Sequence, residues 1–245
     1  TSPKSCPSAR GAMTTVTRQS VIKPGLFGDN CAADARRMEF DFCNESLLVA
    51  GVKPDFLFIG DSITHIWELQ AYFGGTGKLL INRGIGGDVS TNVRRRFEAD
   101  ALQLSPRVIV LLIGTNDLCW ELPLLDYRLS DVACDNVTAM ATAASVAGIT
   151  LAVCSILPIW GPEWLLGEPE FAPRKNAQIV QINARLNALP ARTGAIYVDY
   201  HRAMVGADGA LRHELADDGV HPHSAGYTIM ARVLRDTLSE HGIER

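Results

Sequence analysis

Five short apolar runs punctuate the chain: PDFLFIG (54–60), KLLINRG (78–84), PRVIVLLIG (106–114), ITLAVCSIL (149–157) and AIYVD (195–199). Runs of this length without polar alternation are characteristic of parallel strands covered on both faces. Between them, apolar residues recur at helical spacing. Val89, Val93 and Phe97 mark one helix, and Ile179, Ile182, Leu186 and Leu189 mark another. Ile229, Met230, Val233, Leu234 and Leu238 form the stripe of the last. Ahead of the first strand, Asp29 and Asn30 are placed to cap a helix running to about Val49, with Met38, Phe42 and Leu47 on its apolar side. Strand–helix alternation along the whole chain predicts an α/β fold. The expected architecture is a three-layer α/β/α domain around a flavodoxin-like five-stranded parallel sheet of order 2-1-3-4-5.

No internal repeat, low-complexity tract or linker interrupts this pattern, so residues 29–245 read as a single domain. Residues 1–28 read as an N-terminal tail and extended segment, broken by Pro24, Gly25 and Gly28. Thr1 to about Ala12 precedes Met13 and has no apolar signal core, which reads as a cloning remnant or a processed tail. With Met13 as the natural start, the expected location is cytoplasmic. Two connections are longer than the fold requires: about Thr115 to Ser130, and the Pro-, Gly- and Trp-rich stretch 157–173. Long loops in compact domains often carry function.

Composition narrows the function classes. The 245 residues are 47% hydrophobic, enough for a substantial core, and carry a formal net charge of −4. With no extended basic run, neither nucleic acid nor an anionic membrane surface is an expected partner. The one basic cluster, Arg94-Arg95-Arg96, reads as the solvated face of a helix. No apolar stretch approaches the ~18 residues of a membrane span. Six cysteines are scattered singly, with no CxxC pair, which argues against a zinc site and for mostly reduced thiols. The sequence is compatible with a homo-oligomer.

Chemistry concentrates at the turns after the first three strands: Gly60-Asp61-Ser62-Ile63-Thr64, Gly84-Ile85-Gly86-Gly87-Asp88 and Gly114-Thr115-Asn116-Asp117. In open α/β sheets, ligands sit beyond the carboxyl ends of the strands where strand order reverses. In the order 2-1-3-4-5 the first strand lies between the second and third, so all three turns face one crevice. Ser62 presents a hydroxyl and a backbone N–H at a strand-to-helix turn. Gly86 and Gly87 permit close backbone approach. Asn116 supplies an amide donor. Two backbone N–H groups and one amide make an oxyanion hole.

A nucleophilic serine needs a base, and the base needs an orienting acid. Asp217-Asp218-Gly219-Val220-His221-Pro222-His223 supplies both near the C-terminus, with Asp218 and His221 three residues apart. The same segment, with His213, also offers metal-ligand side chains. It lacks HExxH, and His-Pro-His spacing does not suit two rings on one ion, so no metal and no cofactor is expected.

GDSIT around Ser62, GIGGD ending at Asp88, GTND around Asn116 and DGVHP around His221 resemble, in order, the four blocks of the SGNH (GDSL-type) hydrolases. The resemblance spans roughly 54–238. It implies Ser62 as nucleophile, His221 as general base and Asp218 as its orienting acid. It also implies an oxyanion hole of Ser62 N–H, Gly87 N–H and Asn116, with Gly86 as the fallback for Gly87. The α/β-hydrolase alternative lacks its GxSxG elbow. GIGGD, GTND, ILP and PRKNAQIVQINARL look like the branch holding platelet-activating-factor acetylhydrolase-type enzymes and bacterial carbohydrate acetylesterases. That branch implies a serine esterase acting on short, acetyl-type esters of a small molecule or carbohydrate. A thioesterase or lysophospholipase acting on longer chains is the alternative, and a non-enzymatic carbohydrate-binding relative is disfavoured by the complete set of four blocks. Asp61, Trp120, Trp160 and Trp164 are the candidate substrate contacts, since a sugar's CH groups pack well on indole. Trp67 reads as core.

Overall fold

A computed structural model describes residue 22 and residues 32–119, 126–161 and 171–243. Apart from Ile22, the tail 1–28 and the expected caps Asp29 and Asn30 lie outside the described residues. The five apolar runs form β1 (Phe56–Gly60), β2 (Leu80–Gly84), β3 (Val108–Leu112), β4 (Thr150–Cys154) and β5 (Ile196–Val198). They build one parallel sheet, as the strand–helix alternation predicts, in the expected flavodoxin-like order β2-β1-β3-β4-β5. Phe56 stands level with Leu80 on one side and Val108 on the other, so the ends of β1 and β2 finish side by side at Gly60 and Gly84.

The strands are uninterruptedly apolar because each face of the sheet has its own core. Phe56, Phe58, Val108, Val110, Ala152 and Cys154 point to one side, where they meet Trp67, Phe73, Tyr200, Met230 and Leu234. Leu57, Ile59, Ile109, Leu111, Leu151 and Val153 point to the other, where they meet Val93, Phe97, Met140, Ile179 and Ile182. A period of two along the strand sends alternate side chains to opposite layers. Trp67 is core, as expected, with its ring stacked on Tyr227 and edge-on to Phe58.

Among the described residues the α-helices, in chain order, are α1 (Ala32–Val49), α2 (Ser62–His65), α3 (Leu69–Phe73), α4 (Ser90–Asp100), α5 (Thr115–Cys119), α6 (Asp126–Val146), α7 (Phe171–Asn187), α8 (Pro190–Thr193), α9 (Tyr200–Met204) and α10 (Ser224–Glu240). In the connection expected over 115–130, the described residues, 115–119 and 126–130, are helical, as α5 and the start of α6. Among the described residues, no helix is long and apolar enough to cross a membrane.

Two expectations fail on the same feature. The apolar side assigned to α1 is largely wrong: Met38 and Phe42 are 54% and 70% exposed, and only Leu47 is partly buried against the core. The helix instead buries Arg37, Phe40 and Asn44. Asn44 Oδ1 accepts from Arg83 Nε and Nη2 at 3.1 and 2.8 Å, and its Nδ2 donates to Asp100 Oδ1 at 3.1 Å. The helix docks through polar complementarity, which hydrophobic periodicity does not register. Arg94-Arg95-Arg96 is not one solvated face either: Arg96 has no exposed side-chain surface. Its guanidinium meets Asp88 Oδ2 at 2.8 Å and Asp100 Oδ2 at 3.2 Å, and donates to the carbonyls of Arg83 and Gly60 at 2.8 and 3.1 Å. A fully buried arginine persists only with its donors satisfied in this way.

Candidate active site

The turn after β1 is shaped by close packing. A side chain at Gly60 would collide with the backbone oxygen of Leu112 in the neighbouring strand, so the chain passes there only as glycine. Asp61 then caps α2, its Oδ1 accepting from Ile63 N at 3.0 Å. Asp61 has no surface exposed to solvent, which corrects its assignment as a substrate contact: its carboxylate shapes the turn from beneath. Burial, reinforced by Asp117 and Asp88, pushes that carboxyl up to about 7 against the opposing hydrogen bond from Ile63.

Ser62 follows at the first position of α2, partly exposed. Its Oγ lies 2.8 Å from His221 Nε2, across 159 residues of sequence. The opposite ring nitrogen, Nδ1, lies 2.6 Å from Asp218 Oδ2. The other carboxylate oxygen, Oδ1, accepts from the backbone N–H groups of Val220 and His221 at 2.9 and 2.7 Å. Burial raises the Asp218 pKa, but those hydrogen bonds and the His221 ring outweigh it and hold the carboxyl below its usual range. An ionised carboxylate on Nδ1 orients the imidazole so that Nε2 can take the serine proton.

Two further strands bring the remaining candidates. After β2, the turn Ile85–Asp88 closes with Asp88 N donating to the Ile85 carbonyl at 3.2 Å, and Gly87 stands at its third position with φ 75°. That conformation favours glycine. A Cβ placed on Gly86 would come to 4.0 Å from Ser62 Cβ, so this turn lies against the serine. Gly86 N donates to His65 Nδ1 at 3.1 Å, whereas Gly87 is exposed. Of the two glycines, the fallback Gly86 has its N–H engaged by His65, and Gly87, which the resemblance implies, is the exposed one. After β3, Asn116 sits in α5 and donates from Nδ2 to the Asp88 carbonyl at 2.8 Å, which fixes the orientation of its amide. Asp117 receives Ser90 N and Ser90 Oγ, the latter at 2.5 Å, and so ties α5 to the start of α4.

Trp160 packs against the His221 loop. Its backbone N–H donates to the Gly219 carbonyl at 3.0 Å, and its ring lies 4.7 Å from that of His213. Trp120 and Trp164 lie outside the described residues. The supposed metal cluster is dispersed: His213 lies against Trp160, and His223 caps α10 by accepting from Ala225 N at 3.2 Å. Among the described residues, no group of three or more His, Cys, Asp or Glu is arranged to hold a metal ion. Sequence reasoning missed Arg96, His65 and the Asp117–Ser90 pair. The i,i+4 spacing of Arg96 and Asp100 was an available sign for the first.

Residues 58–229 match the model of the GDSL-like lipase/acylhydrolase family, and the chain belongs to that family. It is therefore a carboxylic ester hydrolase. A Geobacillus stearothermophilus acetylxylan esterase is 26% identical over 218 residues, covering 79% of this chain and 96% of that protein. A Streptococcus pneumonia structure named for platelet activating factor superposes with a TM-score of 0.71 at 28% identity, covering 84% of this chain and 92% of its own. A GDSL-like lipase from Bacteroides thetaiotaomicron gives 0.69 at 28% identity, covering 86% and 100%.

Proposed function

We propose that the protein is a serine esterase that removes acetyl or similarly short acyl groups, with an acetylated carbohydrate as the substrate class. The observation that carries this reading is the continuous line from Ser62 Oγ through His221 to Asp218, at 2.8 and 2.6 Å. His221 Nε2 takes the proton as Ser62 Oγ attacks the ester carbonyl. The developing oxyanion is received by the backbone N–H groups of Ser62 and Gly87 and by the Asn116 amide. The imidazolium then gives its proton to the leaving alcohol, and a water activated by the same histidine hydrolyses the acyl-serine. Asp218 stabilises the imidazolium without itself taking a proton.

The acetyl preference is supported by the acetylxylan esterase relative, and the sugar side by that relative and by the indoles at Trp120, Trp160 and Trp164. Ser62→Ala abolishes p-nitrophenyl acetate hydrolysis with the fold retained by circular dichroism; unchanged turnover overturns the assignment. An acyl-chain series run on the parent enzyme peaks at acetyl. A maximum at eight carbons or longer would replace this reading with a thioesterase or lysophospholipase.

A further inference from the structure

We propose that His65 is a positioning residue for the oxyanion hole, holding the Gly86-Gly87 turn against Ser62 through its imidazole Nδ1. This rests on the reading of Ser62 and Gly87 given above. His65 closes the single turn of helix that Ser62 opens, so one rigid element carries both the nucleophile and the acceptor for Gly86 N–H.

The His65 main chain has little freedom. His65 N donates to the Asp61 carbonyl at 2.9 Å. Asn82 Nδ2 donates to the Thr64 carbonyl at 2.8 Å, and Asn82 Oδ1 accepts from Gly84 N at 2.8 Å. Gly84 lies so close that any side chain there would strike the His65 backbone. The imidazole therefore starts from a fixed point.

The turn it holds is the adaptable part. Of its two glycines only Gly87 has a positive φ, the pattern of a type II turn. The Gly86–Gly87 peptide can flip with little steric resistance because neither residue has a Cβ, and a flip would reverse the direction of the Gly87 N–H. The flanks of that peptide are anchored. On one side, Ile85 N donates to the Gly60 carbonyl at 3.0 Å and Gly86 N to His65. On the other, Asp88 is held by Arg96 through its carboxylate and by Asn116 through its carbonyl. His65 is the side-chain member of the near anchor. Its acceptor role requires the neutral ring. Burial lowers its pKa, and Arg36 on α1 lowers it further against the opposing pull of Glu39 on the same helix.

The test compares His65→Ala with His65→Asn, whose Oδ1 occupies about the place of Nδ1. In the alanine variant kcat for p-nitrophenyl acetate falls about 10- to 100-fold with KM within about twofold, because the misaligned donor acts only on transition-state charge. Labelling of Ser62 by a fluorophosphonate slows in parallel. His65→Asn restores most of the rate. In the wild-type protein, the Gly86 amide ¹⁵N resonance shifts on protonation of His65, read without turnover. Wild-type kcat in the alanine variant, equal losses in both variants, or a Gly86 resonance indifferent to His65 protonation would each overturn the proposal. Ser62→Ala is run alongside. If that variant stays active, the esterase reading fails. If it is dead while His65→Ala is normal, only the role of His65 falls.

Discussion

Arg96 and Asp88 meet at 2.8 Å with neither side chain exposed to solvent. Through this pair the turn after β2 is tied to the end of β1, because the same guanidinium also donates to the Gly60 carbonyl. Asp100 on the following turn of α4 completes the set, and Arg37 of α1 reaches it at 3.1 Å. A charged network inside the domain thus braces the two turns that flank Ser62.

Removing Arg96 should be among the most damaging single changes in the protein. Burial pushes the carboxyls of Asp88 and Asp100 up, and Arg96 pulls both back. Arg96→Ala leaves them buried without that partner, a change of about 3–5 kcal/mol in stability. Folded-state carboxyl pKa values above their unfolded values mean that stability is lost as pH rises between the two. Without Arg96 the folded values climb further, so the variant's deficit in urea unfolding is larger at pH 8 than at pH 5.5. A deficit independent of pH would argue against this account.

Asp61 offers the opposite experiment. Its folded pKa of about 7 exceeds the ordinary carboxyl value, so ionising it in the fold is unfavourable and stability declines as pH rises toward 7. Asp61→Asn keeps an acceptor for Ile63 N and removes the ionisation. Thermal unfolding should show the variant gaining on the parent from pH 5 up to about pH 7 and the difference levelling off above it. A constant difference across that range would show that Asp61 does not titrate there.

Gly219 tests the seating of the His221 loop. It has φ 78°, and a side chain there would run into the Trp160 backbone oxygen and indole. Gly219→Ala should leave the sheet intact but displace Asp218 and His221, lowering kcat at least about tenfold by misalignment. Full activity with an unchanged melting temperature would mean that the loop is set by other contacts.

Asn116 separates binding from catalysis. If its amide meets charge that develops only in the transition state, Asn116→Ala lowers kcat by about 10²–10³ and leaves KM nearly unchanged. Steady-state kinetics on an acetyl ester decides this. A raised KM with normal kcat would remove Asn116 from the oxyanion hole.

The strands and the blocks around Ser62, Asn116 and His221 were legible in sequence because each depends on local pattern, whereas the strand order followed from the flavodoxin-like arrangement that the family resemblance also implies. An uninterrupted apolar run can be satisfied only between two layers, and the turns at strand ends carry their polar residues in contiguous motifs. The buried side of α1 was not legible. Phe42 looks like core and Asn44 like surface, yet Asn44 is buried because Arg83 and Asp100 converge on it from β2 and α4. Arg96 was misread for a related reason, since beside Asp100 on its own helix its partners Asp88 and Gly60 come from the turn after β2 and the end of β1.

The amino-acid sequence by itself determined the layered α/β architecture, the five parallel strands and the candidate nucleophile, base and acid, because hydrophobic periodicity and short motifs act over a few residues. Tertiary structure alone decided which of two glycines is held by His65, that Asp61 lies beneath the site, and that a buried arginine braces its floor. Those outcomes depend on hydrogen bonds between residues distant in the chain. A buried polar group is tolerable only where such partners arrive, and their arrival is a property of the assembled fold.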